Sequence, residues 1–115
     1  MSARESRWTV RLTATAEADF QSIIAWTSDQ FGDRQAAGYA ETLSAAIAVL
    51  SAGPTTVGAR ERREIGKGLF TLHVARGSRK GRHFVLFRVG SNEHQIEVLR
   101  LLHDAMDLGL RARST

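Results

Sequence analysis

The stretch from Thr13 to Pro54, "TATAEADFQSIIAWTSDQFGDRQAAGYAETLSAAIAVLSAGP", predicts two helices joined by a tight turn. Its first half places apolar side chains at helical spacing from Ala16 to Phe31, so this helix has one apolar stripe. The Thr13 hydroxyl can accept a hydrogen bond from the free N–H groups of the first turn. Gly32 suits the end of the helix, because a residue without a Cβ adopts a left-handed conformation at low cost.

The second helix begins directly after this turn, with Asp33 as its predicted capping residue. Its apolar residues repeat at steps of four and three and form a narrow seam for packing against the first helix: Ala36, Ala40, Leu43, Ile47 and Leu50. Gly53-Pro54 ends the helix, because proline cannot continue the hydrogen-bond ladder. Since the connection is so short, the two helices are predicted to form an antiparallel hairpin.

The rest of the chain predicts strands. One precedes the hairpin, at residues 8–12, and three follow it, joined by short loops that make them antiparallel: residues 69–74, 83–89 and 95–102. Residues 55–68 follow neither period and predict an irregular basic loop. We therefore expect a single α+β domain over residues 1–115, with the hairpin packed on one face of an antiparallel sheet.

A cation interrupts the last of these strands. In a two-residue period Arg100 shares a face with Ile96, Val98 and Leu102, opposite Leu101. A cation cannot be buried unpaired at acceptable cost. Arg100 is therefore expected to point from the uncovered face of the sheet or to pass its edge.

Composition excludes several classes of protein. The 115 residues contain no cysteine, so disulfides and thiolate metal sites are excluded. No apolar run suits a signal peptide or a membrane span, so a cytoplasmic protein is expected. The four histidines, His73, His83, His94 and His103, lack a metal-binding spacing, and the sequence predicts neither a metal nor a cofactor.

The net charge of +4 is unevenly distributed. Residues 13–53 carry one base and five acids, a net charge of −4, whereas residues 54–92 carry nine bases and two acids, a net charge of +7. Such asymmetry is typical of a surface for an anionic partner, but a solvated cationic face would give the same pattern. Both interpretations stay open at this stage.

Four stretches, in order, carry a resemblance to a known family: "TATAEADFQSIIAWTSDQFG", "QAAGYAETL", "RHFVLFRV" and "IEVLRLLHDAMDL". Together they resemble the ParE branch of the RelE/ParE toxin superfamily. The resemblance implies a helical hairpin on a sheet, a short helical tail after His103, and the toxin of a type II toxin–antitoxin system with a role in plasmid stabilisation. It also implies a hetero-oligomer in which a ParD-like antitoxin holds the toxin inactive, and DNA gyrase as the usual target.

This resemblance implies toxicity by binding without catalysis, so no catalytic residues are predicted. The residues expected to bind the target, with nucleic-acid contact only near gyrase-bound DNA, are Arg76, Arg79, Lys80, Arg82, Arg88, Arg100 and His103. Those expected to bind an acidic antitoxin segment that folds on the toxin are Trp26, Arg60, Arg62, Arg63 and Lys67. Trp26 is either an exposed anchor or the edge of the core, and each cation could equally be solvated. His103 either hydrogen-bonds near the start of the tail or is an ordinary polar group at a strand end.

Two alternative functions remain. RelE-like toxins cleave messenger RNA on the ribosome with cations on the open sheet face and, often, a tyrosine near the C-terminus. Here Phe84 occupies the position where such strands carry an arginine, and Tyr39, on the second helix, is the single tyrosine of the sequence. The ribonuclease is therefore the second hypothesis. The third is a basic binding module without toxicity.

Overall fold

The computed structural model describes residues 7–91 and 94–105. The predicted order of strand, helical hairpin and meander is confirmed, with one additional short strand. The elements are β1 Thr9–Leu12, α1 Ala14–Phe31, α2 Asp33–Val49, β2 Arg60–Glu61, β3 Leu69–His73, β4 His83–Val89 and β5 Gln95–His103. A 3-10 turn at Leu50–Ala52 follows α2.

The five strands form one sheet in the order β1-β5-β4-β3-β2. β1 pairs with β5 in parallel, and the other neighbours are antiparallel. The prediction that residues 55–68 are entirely irregular is wrong at Arg60 and Glu61, which pair with Thr71 and Phe70 as the edge strand β2. Two residues are too few for a periodic pattern in the sequence, so the partner strand decides this element.

The hairpin forms for the predicted reasons, apart from one cap. The Thr13 hydroxyl accepts a hydrogen bond from the Ala16 N–H at 3.1 Å, and Gly32 ends α1 with φ of 95°. Asp33 is not a cap, because α2 begins at this residue and its N-cap is Gly32. The Asp33 carboxylate instead accepts a hydrogen bond from the Ser28 hydroxyl and so joins the two helices across the turn.

The main core lies between the hairpin and one face of the sheet. Leu43 of α2 and Leu50 just after it are fully buried against strand side chains that include Val85, Phe87 and Val98. Ala16 and Ala46 are among the buried hairpin residues, and such small side chains let helices approach a sheet closely. This packing fixes the hairpin over β4 and β5.

A β-bulge in β5 changes which side chains share a face. Val98 pairs with Phe87 and Arg100 pairs with Leu86, so Leu99 is the extra residue. Leu101 consequently joins the helix-facing core, and Leu102 lies in a separate cluster on the opposite face. The predicted face assignment is wrong beyond this point, because a two-residue period does not continue through a bulge.

The opposite face of the sheet is partly covered. Ile65, Leu86 and Leu102 form a second small core there, with Leu69 and Leu99 packed against it. Ile65 comes from the loop between β2 and β3, so this loop covers the side of the sheet that the hairpin leaves free.

Two further expectations concern regions outside this core. The short helical tail predicted after His103 lies beyond Ala105 and is outside the described residues. Among residues 7–91 and 94–105, no helix is both long and apolar enough to cross a membrane.

Candidate functional site

An apolar groove of about 970 Å³ lies where the sheet ends and the hairpin continues toward its turn. The last pair of the sheet, His83 with His103, forms one end of the groove. Both helices and the segment before β4 supply the remaining walls: Ser22, Ile23, Trp26, Thr27, Phe31, Gln35, Gly38, Tyr39, Thr42, Lys80, Gly81 and Arg82.

The groove exists because the two halves of α2 have different neighbours. The second half buries Leu43 and Ala46 against the sheet. The first half carries Gln35 and Gly38, which are exposed and line the groove. The hairpin therefore presents a face to solvent that no strand among the described residues covers.

Two aromatic side chains form the apolar wall of the groove on α1. Trp26 and Phe31 contact each other edge to face, with ring centroids 5.9 Å apart, and each is 58% exposed. Of the two alternatives for Trp26, the structure therefore supports the exposed position over the core edge. Large exposed aromatic groups of this kind are typical of protein-binding surfaces.

Tyr39 and His83 meet at the polar end of the groove. The Tyr39 hydroxyl lies 2.6 Å from Nδ1 of His83 and accepts a hydrogen bond of 3.0 Å from the Arg82 N–H. When the neutral His83 ring carries its proton on Nε2, Nδ1 accepts a hydrogen bond from the Tyr39 hydroxyl. Burial lowers the pKa of His83 to about 4, with His103 adding to this effect, and burial raises the pKa of Tyr39. Both groups are therefore neutral at pH 7.

His103 packs beside His83, with ring centroids 5.2 Å apart. Its Nδ1 accepts a hydrogen bond of 3.0 Å from the Ala105 N–H. The predicted hydrogen bond near the start of the C-terminal segment is thus confirmed, and it closes a turn directly after β5. The His103 side chain also reaches the groove.

Asp104 ties three strand ends together beside this cluster. Its carboxylate accepts hydrogen bonds from His73 Nε2 at 2.9 Å and from Arg82 Nε at 3.2 Å. The His73 hydrogen bond is the main reason why the pKa of Asp104 is lowered, and Arg82 adds to it. The backbone N–H of Asp104 also donates to the Arg82 carbonyl at 2.8 Å. The polar end of the groove is therefore held in one arrangement.

The seven residues predicted to bind the target do not form one surface. Arg79, Lys80, Arg82 and His103 lie at or beside the groove, where Arg79 donates to the Thr42 hydroxyl at 3.3 Å. Arg76 donates to the Val57 carbonyl at 2.5 Å. Arg88 lies on the opposite face of the sheet, where it pairs with Glu97 at 2.8 Å.

Arg100 is an internal cation. Its Nε and Nη2 donate to the two carboxylate oxygens of Asp19 at 2.8 and 3.2 Å, and the Leu101 N–H donates to the same carboxylate at 3.0 Å. The Asp19 hydrogen bond raises the pKa of Arg100. The two expected placements are combined: Arg100 pairs with Leu86 and so leaves β5 on the face away from the hairpin, and its guanidinium passes the edge of the strand to reach Asp19 of α1. This ion pair joins α1 to the sheet and does not present a free charge.

The residues predicted to bind the antitoxin are divided between the two sides of the sheet. Trp26 lines the groove, whereas Arg62 packs over Phe84 on the opposite face, 5.3 Å from the ring centroid. Arg62 also donates to the Thr71 hydroxyl at 2.9 Å and pairs with Glu64 at 3.1 Å. The other three members of the set share its chain segment and are exposed: Arg60, Arg63 and Lys67.

The Tyr39–His83 contact is the main feature that the sequence did not predict. The two residues lie 44 positions apart on different elements, and no motif joins them. The available signal was Tyr39 itself, the single tyrosine of the sequence, on the second helix of the hairpin. In the described part of the chain, no three side chains of the metal-binding types are placed to hold an ion.

Comparison with known proteins gives consistent matches. Residues 10–108 match the family model described as the ParE toxin of the type II toxin–antitoxin system parDE. The chain is 31% identical over 100 residues to Toxin ParE1 of Caulobacter vibrioides, covering 84% of this chain and 90% of the relative.

Two solved structures extend the comparison. The chromosomal ParDE system of P. aeruginosa has the same fold, with a TM-score of 0.70 at 19% identity, covering 85% of this chain and 97% of that one. The toxin–antitoxin complex RelBE2 of Mycobacterium tuberculosis is 28% identical, with a TM-score of 0.52 and coverage of 87% and 94%.

Proposed function

The chain belongs to the ParE toxin family of type II toxin–antitoxin systems, and we propose that it stops growth by binding DNA gyrase while gyrase holds cut DNA. In this proposal toxicity comes from binding alone. The observation that carries it is the group of cations at the mouth of the groove: Arg79, Lys80 and Arg82.

These cations suit a large anionic partner. Arg79 and Lys80 are exposed, and no carboxylate in the described part of the chain pairs with either of them. Arg82 pairs with Asp104, yet its side chain is 70% exposed. A local positive field of this kind raises association rates with anionic surfaces such as DNA held by an enzyme.

We propose a ParD-like antitoxin as the partner that neutralises the toxin in a cytoplasmic hetero-oligomer. The family membership supports an antitoxin partner, and the RelBE2 relative was solved as a toxin–antitoxin complex. The groove has apolar walls and a cationic mouth, which suit a segment with apolar and acidic side chains. A segment bound there would cover Lys80 and Arg82 and so separate the toxin from its target.

A ribonuclease is the second candidate, and the Tyr39–His83 contact beside Arg82 and His103 favours it. Cleavage of RNA needs a base, an acid and a cation near the phosphate. These residue types are present together at the polar end of the groove. The structure thus assembles a polar cluster that the sequence did not indicate.

The protonation states argue against this second candidate. An effective general base has a pKa near the working pH, whereas the pKa of His83 is lowered to about 4 by burial. Nδ1 of His83 is also occupied by the Tyr39 hydroxyl. The raised pKa of Tyr39 keeps this hydroxyl protonated, so it is a poor base. The cluster is better suited to holding the groove in shape than to transferring protons.

A single induction experiment distinguishes the candidates. The protein is produced in a bacterial host without antitoxin, and gyrase–DNA cleavage complexes and messenger RNA cuts are measured in the same cells. We expect cleavage complexes to accumulate and messenger RNA to stay intact. Position-specific cuts that disappear in Tyr39→Phe would identify a ribonuclease, and unhindered growth with soluble protein would contradict both candidates.

A further inference from the structure

Gly38 has no structural reason to be a glycine in the free protein. It lies inside α2 and is exposed, and it is absent from the residues with positive φ. A Cβ added at this position would meet no atom within 4 Å. Glycine in a helix interior lowers stability relative to alanine, so this residue weakens α2 without any packing benefit within the described residues.

Gly38 lines the groove. The residues of α2 that line the groove follow helical spacing: Gln35, Gly38, Tyr39 and Thr42. Because Gly38 has no side chain and is exposed, the backbone of α2 is open where this residue lines the groove. An α-carbon without a side chain lets a second helix approach more closely than the usual interaxial distance of about 8–10 Å.

We propose that Gly38 is the point at which a helix of the antitoxin crosses α2 at close range. This proposal rests on the antitoxin partner proposed above and adds the geometry of its docking. The antitoxin helix then carries a small residue opposite Gly38, because a large one would restore the separation. Apolar residues one turn away on the same helix contact Trp26 and Phe31.

The positive charge at the mouth of the groove favours an acidic antitoxin segment over a second copy of this chain. Lys80 and Arg82 at the mouth favour acidic side chains on the bound helix. A second copy of this chain has a net charge of +4 and would bring the same cations, so it is poorly suited to this site. The mostly apolar walls also suit a protein segment better than a nucleotide.

The test compares leucine at Gly38 with leucine at its neighbour Ala37. Ala37 is exposed on the same helix and does not line the groove, so Ala37→Leu is a control with the same added residue. Dissociation constants are measured by calorimetry or surface plasmon resonance with a purified, full-length ParD-like antitoxin. We expect Gly38→Leu to weaken binding about thirtyfold or more, the size of a hot-spot change, and Ala37→Leu to leave it unchanged.

A second variant separates binding from folding. Gly38→Ala is expected to raise the melting temperature of the free toxin by about 2–6 °C, because alanine favours the helix, and still to weaken binding. A more stable protein that binds less well cannot be explained by misfolding.

The outcomes have separate meanings. Equal affinity of Gly38→Leu and the unmodified toxin would overturn the proposal for Gly38 while leaving the antitoxin partner in place. No binding by the unmodified toxin would instead contradict the antitoxin partner itself. Loss of self-association in Gly38→Leu, with antitoxin affinity unchanged, would assign the groove to a second copy and also overturn the proposal.

Discussion

Two basic segments of this chain look alike in sequence and have different roles in the structure. Residues 60–67 and residues 76–82 each contain four cations. In the first segment Glu61 and Glu64 lie between the cations and pair with Arg63 and Arg62. The second segment contains no acid, and three of its cations, Arg79, Lys80 and Arg82, lie at or beside the groove.

This difference shows that the number of cations in a segment does not predict how many of them are free to bind a partner. Arg62 packs against the sheet, because its guanidinium lies over the Phe84 ring and donates a hydrogen bond to the Thr71 hydroxyl. Arg100 is likewise bound within the fold, by its ion pair with Asp19. The cations of residues 76–82 make fewer ion pairs and are freer to meet a partner. We therefore expect substitutions of the cations held by other side chains, Arg62 and Arg100, to lower the stability of the fold. Substitutions of the exposed cations in residues 76–82 should instead weaken binding to a partner.

The largest effect is expected at the internal cation Arg100. Asp19→Ala removes the carboxylate that binds the Arg100 guanidinium and the Leu101 N–H, leaving a largely buried cation unpaired. We expect a loss of about 3 kcal/mol in the free energy of unfolding, at the lower end for a broken buried ion pair. Urea denaturation measures it. Asp29→Ala, at an exposed position of the same helix, should change stability by about 0.5 kcal/mol or less.

A smaller loss of stability is expected within residues 60–67. Arg62→Ala removes the cation over Phe84 and leaves the buried Thr71 hydroxyl without this donor, so we expect a loss of about 2 kcal/mol. Lys67→Ala, at an exposed position of the same segment, is the matched control. Equal stability of the two variants would show that Arg62 is as free as the cations of residues 76–82.

The comparison is tested most directly by charge reversal in both segments. Arg79→Glu with Lys80→Glu reverses two presented cations, and Arg60→Glu with Lys67→Glu reverses two cations of the other segment. We expect the first pair to slow association with gyrase about tenfold at low salt, with a smaller effect at high salt. Stopped-flow binding measures this rate. If the second pair has the larger effect, the target surface lies on the opposite side of the sheet.

The smallest effect concerns pH at the end of residues 76–82. The pKa of His83 is about 4 in the folded protein, below its ordinary value of 6.5, so the unfolded state binds more protons between these values. Stability contributed by neutral His83 is complete above pH 6.5 and decreases as pH falls toward 4. We expect a loss of about 1 kcal/mol or less between about pH 7 and pH 5.5, after allowing for solvent screening.

His83→Gln is the control for this titration. Glutamine cannot titrate, but its side-chain oxygen can still accept from the Tyr39 hydroxyl. The difference in slope between the two proteins therefore isolates His83 from the other histidines. Identical denaturation midpoints across this pH range would show that His83 is not buried as the structure places it.

The sequence alone determined the hairpin and the antiparallel meander of β3, β4 and β5, because the signals for both are local, whereas the parallel pairing of β1 with β5 was not predicted. The Thr13 cap, the Gly32 helix end and the apolar periods each depend on residues within a few positions of one another. The two-residue period of β5 gave a wrong prediction at one point of the strand. The bulge at Leu99 has no motif, so Arg100 and Leu102 were wrongly assigned to the same face as Ile96 and Val98.

The tertiary structure alone decided which functional groups meet. Tyr39 and His83, Arg100 and Asp19, and Arg62 and Phe84 are brought together by packing across the sheet, and no pattern in the chain encodes these contacts. The groove likewise depends on how far the hairpin extends past the last strand pair. The physical reason is that periodicity and capping act over a few residues, whereas burial and charge pairing depend on the neighbours that the complete fold supplies.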